Sequence, residues 1–280
     1  MTYKTSNQHE FTMSDPDFER ISELAYLYTG IVFVNQKKET INSRLFRRLR
    51  ELGLQSIADY FPLIDNESKP EVGPFIDAIS TNLNPFFKEP HHFDYLASNL
   101  CSEWQNTNAT TKKIRIWSAG CSTGEEPYSI AMTLQESLDL NNWDCDILAT
   151  DLDCGLVDKG RQGIYDLGSI GSLALERKKQ WFLSDETSPD VVKVKPELQE
   201  MVEFKCLNLL DLWPAVEPFD LIFCRNVALY FNEPSQAILF DRFADVLKDG
   251  GYLVLGHSEK LDSNCQRFKL VGKTIYQKIN

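Results

Sequence analysis

The chain has 280 residues, of which 42% are hydrophobic, and it carries a formal net charge of −12 at pH 7. This composition is typical of a globular protein with a substantial core, and the acidic balance argues against a protein that binds nucleic acid over its surface by neutralising phosphates. Because no apolar run approaches the ~20 residues needed to span a bilayer and the N-terminus lacks a signal-peptide pattern, we expect a cytoplasmic protein without direct membrane insertion.

The cysteines and histidines predict neither a disulfide framework nor a metal site. The seven cysteines are scattered without any CxxC pair, and the chain has four histidines. Cys145, Cys206 and Cys224 lie among aliphatic and aromatic residues, so they are interpreted as small buried hydrophobic residues. The neighbours His91 and His92 point in different directions on a helix, which disfavours a joint role as metal ligands.

The first part of the chain is predicted to be helical. A polar tail over residues 1–13 precedes a helical domain over 14–105, and residues 106–113 form a polar connection. The predicted helices of this domain are one that begins at Asp15-Pro16 and stops at Gly30, followed by others at 37–52, 56–65 and 70–80.

The second predicted helix is basic, in contrast to the acidic chain as a whole. Its apolar residues form one stripe that includes Ile41, Leu45 and Leu49, and most of its basic residues fall off that stripe. The arginines concerned are Arg44, Arg47, Arg48 and Arg50. A basic face of this kind is either an ordinary solvated surface or a docking site for an acidic partner.

From residue 114 to 280 the pattern changes to short apolar strands that alternate with helices. This alternation predicts an α/β fold, a Rossmann-like parallel sheet with helices on both faces. Residues 163–201 interrupt it and are interpreted as a small inserted antiparallel β-subdomain. The predicted strands are 114–119, 145–151, 202–209, 219–226, 251–258 and 274–279, and the helices are 127–139, 153–161 and 234–248, the last ending in a turn at 249–251.

The segment WSAGCSTGEEP, residues 117–127, joins the first strand to the first helix through a glycine-rich turn that includes Gly120. Such turns bind nucleotide-like ligands, but GxGxxG is missing and two carboxylates stand where a diphosphate would lie. A cationic adenosyl compound such as S-adenosylmethionine fits better, with Glu126 accepting hydrogen bonds from its ammonium group and Glu125 as an exposed neighbour. The alternative is that these glutamates only complement the helix dipole.

Polar residues also follow the later strands, where the binding crevice of a parallel sheet lies. Asp151 ends the second strand and is the candidate for the ribose hydroxyls of an adenosine, whereas Asp153 is better explained as a helix cap. The residues that follow later strands and can contact adenine or substrate are Asn208, Leu209, Asn226 and Val227.

A competing motif is GCSTG, which satisfies the G-x-S-x-G nucleophile elbow of serine hydrolases. Ser122 would be the nucleophile, with Asp220 and His257 following in a permissible order. Against this hypothesis, the elbow would lie on the first strand of the sheet, which leaves no earlier strand and loop to supply the second amide of an oxyanion hole.

Several segments together resemble, in order and spacing, the chemotaxis receptor glutamate methyltransferases of the CheR type. They are STNLNPFFKEPHHF, IWSAGCSTGEEPYSIAMTL, ATDLD, FDLIFCRNVALYF, LKDGGYLVLGHSEKL and GKTIYQK. The resemblance implies methyl transfer from S-adenosylmethionine to glutamates in the cytoplasmic helices of chemoreceptors, with the Arg44 to Arg50 face as the docking site. It implies cofactor contacts at Asn82, Asn84, Lys88, Glu126, Asp151, Asn208, Leu209, Asn226 and Val227, with Tyr230 close to the transferred methyl.

Lys88 and Tyr230 are the candidates for holding the acceptor carboxylate. The family usually has threonine and arginine where this chain has Asn84 and Lys88, and lysine offers a point charge rather than a bidentate fork. One alternative is therefore a signalling module that binds S-adenosylmethionine with weak or lost turnover. A nucleic-acid methyltransferase is disfavoured by the acidic balance and by the absence of an Asp- or Asn-Pro-Pro-aromatic segment. Oligomeric state, and peptide capture by the β-subdomain, are left open by the sequence.

Overall fold

The structure is a computed structural model that describes most of the chain as two compact units. The units are Met1–Leu83 and Asn84–Asn280. The described residues are 13–29, 38–66, 69–80, 85–139, 142–185, 188–215, 217–262 and 265–279. Within these residues, no helix has the length and apolar character required to cross a membrane.

The described part of the first unit is helical, as predicted. Its helices are α1 (Asp15–Thr29), α2 (Lys38–Glu51), α3 (Phe61–Ile64) and α4 (Val72–Ser80). Ser14 caps α1, because its hydroxyl accepts a hydrogen bond from the backbone N–H of Asp17 at 3.2 Å. The predicted stripe of α2 is confirmed, since Ile41, Leu45 and Leu49 are all buried in the core of the unit. Met13 packs into the same core, although it is the last residue of the predicted tail.

The second unit begins with helix rather than with the sheet. It contains α5 (Pro90–Tyr95), a π-helical turn (Leu96–Leu100) and α6 (Cys101–Thr107). The sequence pattern predicts a helical domain that extends to residue 105, but the structure divides the chain after Leu83. The physical reason is packing: Phe93, Leu96 and Trp104 belong to the hydrophobic cluster that covers one face of the main sheet.

The remaining elements of the second unit alternate strand and helix, which confirms the predicted α/β fold class. The strands are β1 (Lys113–Ala119), β2 (Asp144–Asp151), β3 (Ile164–Asp166), β4 (Phe182–Asp185), β5 (Ser188–Val194), β6 (Val202–Cys206), β7 (Phe219–Cys224), β8 (Leu247–Leu255), β9 (Phe268–Gly272) and β10 (Ile275–Lys278). The helices are α7 (Glu125–Ser137), α8 (Cys154–Gln162), α9 (Leu175–Trp181), α10 (Pro196–Gln199) and α11 (Glu233–Val246).

Within the described residues the main sheet has seven strands in the order β6-β2-β1-β7-β8-β10-β9. The first five are parallel, and β10 runs antiparallel to both of its neighbours. The strand order reverses between β1 and β7, so a crevice opens at the carboxyl ends of these two strands. The loops that follow β1, β2, β6 and β7 therefore converge on one edge of the sheet.

Both faces of this sheet are covered, which explains why β7 is buried along its whole length. One face packs against α7 through residues such as Ile130 and Leu134. The other packs against α11 through Leu239 and Phe243. The inserted β-subdomain is an antiparallel sheet of order β3-β5-β4, as predicted for this interruption.

Two details of the sheet differ from the sequence-based expectation. Strand β9 was not predicted, because FKLVG gives a short and weakly alternating pattern. Residues 249–251 form an irregularity inside β8 rather than a turn between α11 and the strand, since Phe219 pairs with Leu247 while Leu221 pairs with Tyr252. Gly250 permits this bulge because its φ is +75°.

The prediction that Cys206 is a buried hydrophobic residue was wrong, and the cysteine pattern, which suggested no disulfide framework, did not indicate the one disulfide of the described residues. Cys206 is exposed at the end of β6 and forms a disulfide with Cys154 at the start of α8. The reason is its position at the end of the strand: the alternation that buries Val202 and Phe204 stops there, and Lys205 and Cys206 are both exposed. Cys145 and Cys224 are buried, as expected.

Candidate active site

The loop between β1 and α7 is held against the end of β2. The backbone N–H groups of Gly120 and Cys121 donate to the carbonyl of Thr150 at 2.7 and 2.9 Å. Gly120 has a φ of +95°, and a Cβ placed on it would lie 2.2 Å from Cγ2 of Val227. Glycine therefore allows this loop to touch the loop that follows β7.

The two glutamates at the start of α7 have different environments. Glu125 is buried and accepts hydrogen bonds from the hydroxyl of Thr123 at 2.9 and 2.7 Å, so the expectation that Glu125 is exposed was wrong. Burial raises the pKa of the Glu125 carboxyl to about 7. Glu126 accepts from the hydroxyl of Ser118 at 2.7 Å and from Nη1 of Arg225 at 3.0 Å, while its side chain is 16% exposed.

Arg225 is a buried cation at the carboxyl end of β7. Its Nη1 donates to Glu126, and its Nη2 lies 3.2 Å from Oε1 of Glu89 and donates to the carbonyl of Lys88 at 2.6 Å. Burial disfavours the charged guanidinium, but Glu89 and Glu126 outweigh it and raise the pKa of Arg225. Arg225 thus joins the residues around Lys88 to the start of α7.

The segment that carries Lys88 is held in an unusual backbone conformation. Phe87 and Glu89 both have a φ of +57°, a left-handed conformation that costs energy for residues other than glycine. The backbone N–H of Phe87 donates to the hydroxyl of Ser129 on α7 at 2.9 Å. Together with the bond from Arg225 to the Lys88 carbonyl, this contact positions Lys88, which is half-buried, beside the crevice.

Glu89 is buried and shared between several positive or polar groups. Burial opposes its ionisation, yet Arg225, His257 and His92 outweigh burial and hold the pKa of Glu89 well below its usual value. Glu89, His91 and His92 are close enough together to form a metal-binding group in the described part of the chain. The Arg225 guanidinium on Glu89 disfavours a second cation there by electrostatic repulsion.

Asp151 connects the loops that follow β1 and β2. One of its carboxylate oxygens accepts from the N–H of Ser122 at 2.8 Å, and the other accepts from the N–H of Asp153 at 3.0 Å. Each oxygen retains a further lone pair, so the carboxylate can also accept bonds from hydroxyls of a ligand. Asp153 caps α8, as predicted, because its Oδ1 accepts from the N–H of Gly155 at 2.8 Å.

The predicted residues after β6 form a tight turn. Oδ1 of Asn208 accepts from the N–H of Leu210 at 3.0 Å, which leaves the amide N–H₂ of Asn208 available. Leu209 is buried, and its carbonyl accepts from Nη1 of Arg242 at 2.8 Å. The backbone N–H of Leu207 donates to the carbonyl of Asp151 at 2.9 Å, so this turn adjoins the loop after β2.

The loop after β7 brings Asn226 and Val227 to the crevice. Asn226 has a φ of +58°, and its buried Nδ2 has no hydrogen-bond partner among the described residues. Two carboxylates lie at the same edge of the sheet, Glu126 at the start of α7 and Asp151 at the end of β2. A set with two carboxylates and an unsatisfied amide donor fits a cationic adenosyl group with hydroxyls and ring nitrogens.

Some predicted residues lie outside what the structure describes. Asn82 and Asn84 fall in the undescribed range 81–84, and the side chain of Arg44 is likewise undescribed. Tyr230 ends a short 3₁₀ turn, Ala228–Tyr230, directly after the Asn226 loop, and its side chain is outside the described set. Of the remaining predicted cofactor residues, Lys88 lies in the segment before α5, and the others lie at or after the carboxyl ends of parallel strands.

The structure excludes the serine hydrolase hypothesis. Asp220 lies at the opposite end of the sheet from Ser122, because it is the second residue of β7. Its carboxylate binds Nζ of Lys248 at 2.7 Å and accepts from the N–H of Arg115 at 2.8 Å. His257 follows β8, and its Nδ1 lies 3.4 Å from Glu89. The three side chains therefore do not form a triad.

Arg225 and Glu89 were missed by reasoning from the sequence. Each is a charged residue that is almost fully buried, and arginine and glutamate are rarely buried unless they are paired. The available signal was the position of Arg225 directly after FDLIFC, an apolar strand that places the next residue at the crevice. The sequence alone did not indicate Glu89 as its partner.

Comparison with known proteins finds chemotaxis methyltransferases over nearly the whole chain. The chain is 41% identical to the chemotaxis protein methyltransferase of Klebsiella aerogenes, over 94% of this chain and 90% of that protein. It is 40% identical to chemotaxis protein methyltransferase 2 of Pseudomonas aeruginosa, over 95% and 94%. It is also 40% identical to the chemotaxis protein methyltransferase of Escherichia coli, over 94% and 91%.

Two family models match the two units. The model of the CheR methyltransferase all-alpha domain matches residues 16–80, and that of the CheR methyltransferase SAM binding domain matches residues 82–277. The fold, the acidic crevice and these matches define an S-adenosylmethionine-dependent methyltransferase. The chain belongs to the CheR methyltransferase family, which confirms the resemblance found in its sequence. These relatives are enzymes and give no support to a binding module without turnover.

The close approach of Gly120 to Val227 predicts that Gly120→Ala weakens cofactor binding. The added Cβ would collide with Val227, and alanine is strained at a φ of +95°. We expect the dissociation constant for S-adenosylmethionine, measured by calorimetry, to rise roughly tenfold or more. Gly168→Ala is the matched control, because its Cβ would meet nothing within 4 Å. Equal affinities of the two variants for S-adenosylmethionine would contradict the prediction that the close contact between Gly120 and Val227 is needed for cofactor binding.

The buried carboxyl of Glu125 predicts a pH-dependent stability. Its pKa rises from 4.5 to about 7 on folding, so its stabilising contribution is complete below pH 4.5 and is lost as the pH rises through 7. In urea unfolding without cofactor, Glu125→Gln should therefore be about 1–3 kcal/mol more stable than the unaltered protein at pH 8 and about equal to it at pH 5. Glu233→Gln, at the exposed first turn of α11, is the control. The same small difference at both pH values would contradict a raised pKa.

Proposed function

We propose that this enzyme transfers the methyl group of S-adenosylmethionine to glutamate side chains in the cytoplasmic helices of chemoreceptors, in the cytoplasm, and so forms glutamate methyl esters. The observation that carries the proposal is the similarity of about 40% to proteins that are themselves chemotaxis methyltransferases over 94% or more of the chain. The acidic crevice supports it, because the loops after β1 and β2 present carboxylates to a cationic cofactor.

The cofactor would be held by loops at the carboxyl edge of the sheet. Glu126 would accept hydrogen bonds from the ammonium group, and Asp151 would accept from the ribose hydroxyls. The amides of Asn208 and Asn226 are placed for polar atoms of the adenosyl group, while Gly120, Leu209 and Val227 would shape the pocket. By resemblance, Asn82, Asn84 and Lys88 complete the contacts. The cofactor supplies an electrophilic methyl on a sulfonium centre.

The acceptor needs no general base. A glutamate side chain has an unperturbed pKa of ~4.3 and is ionised at neutral pH, so the enzyme has to align the carboxylate and exclude water. Lys88 is the candidate for attracting the acceptor, and Tyr230 is the candidate for orienting it. Arg225 supports this role of Lys88 because it fixes the Lys88 carbonyl at 2.6 Å.

The arginines of α2 are proposed to attract the acidic receptor helices. They do not contribute equally, because Arg48 makes a bidentate pair with Glu71 at 2.8 and 2.9 Å inside the first unit. Arg47 is 67% exposed, and its Nε lies 4.0 Å from the carboxylate of Glu51. Arg50 is also exposed. Arg47 and Arg50 are therefore stronger candidates than Arg48 for contact with a partner.

Methylation of a receptor fragment tests the proposed substrate. The enzyme is incubated with methyl-labelled S-adenosylmethionine and a chemoreceptor cytoplasmic fragment from the same source. We expect label on helix glutamates, and the label should be released by base because methyl esters hydrolyse in base. Peptide mapping by mass spectrometry locates the sites. A fragment with those glutamates replaced by alanine should take up no label. Tight cofactor binding together with no ester on any glutamate would contradict the proposed substrate.

Charge reversal on α2 tests the docking role. The double variant Arg47→Glu/Arg50→Glu should lower the initial rate of receptor methylation several-fold at low ionic strength, and the difference should shrink as salt screens the charges. Calorimetric affinity for S-adenosylmethionine should not change. Arg20→Glu/Lys69→Glu makes the same charge change on the first unit outside α2 and is the control. Equal initial rates of receptor methylation for the two double variants would contradict the proposed docking role of α2.

A further inference from the structure

Glu259 is a buried carboxylate that belongs to none of the cofactor contacts described above. It follows β8 in the turn Gly256–Glu259, which is closed by a hydrogen bond from the N–H of Glu259 to the carbonyl of Gly256 at 2.9 Å. The residue is 6% exposed. The turn directs its side chain under the loop that follows the neighbouring strand, β7.

The carboxylate of Glu259 accepts four backbone hydrogen bonds. Oε2 accepts from the N–H groups of Gly256 at 2.7 Å and Asn226 at 2.8 Å. Oε1 accepts from the N–H groups of Val227 at 2.9 Å and Leu229 at 3.2 Å. Two oxygens provide about four lone-pair sites, so the carboxylate is saturated by main-chain donors.

These hydrogen bonds provide acceptors for backbone N–H groups just beyond the end of β7, where pairing with the neighbouring strands stops. β7 ends at Cys224, and the chain then turns through Asn226 with a φ of +58°. A backbone N–H that is buried without an acceptor destabilises the folded state. The carbonyls of the same turn are also held by a side chain, since Nε2 of Gln236 donates to Ala228 at 2.9 Å and to Phe231 at 3.0 Å.

Gly256 allows this arrangement. A Cβ on Gly256 would lie 2.9 Å from Oε2 of Glu259 and 3.0 Å from the backbone nitrogen of Asn226. Any side chain at this position would separate the carboxylate from the loop. The absence of a side chain at Gly256 therefore allows the turn after β8 to pack directly against the loop after β7.

We propose that Glu259 is a positioning residue for methyl transfer, which sets the backbone of Asn226 and Val227 and the following turn that carries Tyr230. The inference rests on the proposed roles of these three residues in binding the cofactor and acceptor. Glu259 itself touches neither, and it acts through the peptide groups that it binds. Glutamine cannot replace it, because the amide N–H₂ of glutamine would face backbone N–H groups.

The test compares three variants by calorimetry with S-adenosylhomocysteine and by kinetics with S-adenosylmethionine. Glu259→Gln removes acceptor capacity. Gly256→Ala keeps every charge but displaces the carboxylate from the loop. Asp220→Asn is the control, because Asp220 is a buried carboxylate of the same sheet that also accepts a backbone N–H, from Arg115, at the end away from the crevice.

We expect Glu259→Gln and Gly256→Ala each to weaken cofactor binding and raise KM for the cofactor by roughly tenfold or more, at a temperature where circular dichroism shows them folded. Asp220→Asn should lower the melting temperature and leave KM unchanged. If Glu259→Gln does not fold, the cofactor affinity of Gly256→Ala alone tests the positioning role of Glu259. Cofactor affinity that stays unchanged in whichever of these two variants folds would overturn the inference.

Asn226→Ala separates this inference from the proposed site. If Asn226→Ala weakens cofactor binding while Glu259→Gln and Gly256→Ala do not, the site stands and the positioning role of Glu259 is overturned. If Asn226→Ala has no effect, the assignment of Asn226 fails and the inference built on it fails too. Loss of affinity in all three, with an unaffected Asp220→Asn, is the expected result.

Discussion

The structure of the crevice depends on one buried cation, Arg225, which is held between two carboxylates. Moving a guanidinium out of water is costly, and the cost is offset only when oppositely charged partners and good hydrogen-bond geometry surround it. Glu89 and Glu126 provide these partners at 3.2 and 3.0 Å. Removal of Arg225 would leave both carboxylates without their shared cation, whereas removal of either glutamate would leave the guanidinium with a single carboxylate partner.

This set connects parts of the chain that are far apart in sequence. Arg225 belongs to the end of β7, Glu126 to the start of α7, and Glu89 to the segment before α5. Glu259 adds the end of β8, because its carboxylate binds the N–H groups that directly follow Arg225. The segments that meet around Arg225 are thus held by buried charges as well as by packing. Such support suits a transfer reaction in which the main requirement is alignment.

Much of this architecture could be predicted from the sequence, and the failures have physical causes. The alternation of strands and helices predicted the sheet, and the positions of Glu126 at the start of the first helix after β1 and of Asp151 at the end of β2 predicted that both lie at the carboxyl edge of the sheet. The environment of Glu125 could not be predicted, because neighbouring glutamates on a helix look alike until the fold buries one of them. The partners of Arg225 and the exposure of Cys206 depend on tertiary contacts. The division after Leu83 was missed because α5 and α6 are helical but pack on the sheet.

The most direct test is the affinity for S-adenosylmethionine of Arg225→Met and Arg225→Lys between pH 6 and 8, measured by calorimetry on folded protein. We expect Arg225→Met to bind roughly tenfold or more weakly. Its affinity should also fall as the pH is lowered, because Glu126 without its cationic partner is more easily protonated and then attracts the ammonium group less. Arg225→Lys should lie between Arg225→Met and the unaltered protein. An Arg225→Met protein that binds as tightly as the unaltered one at every pH would contradict the account.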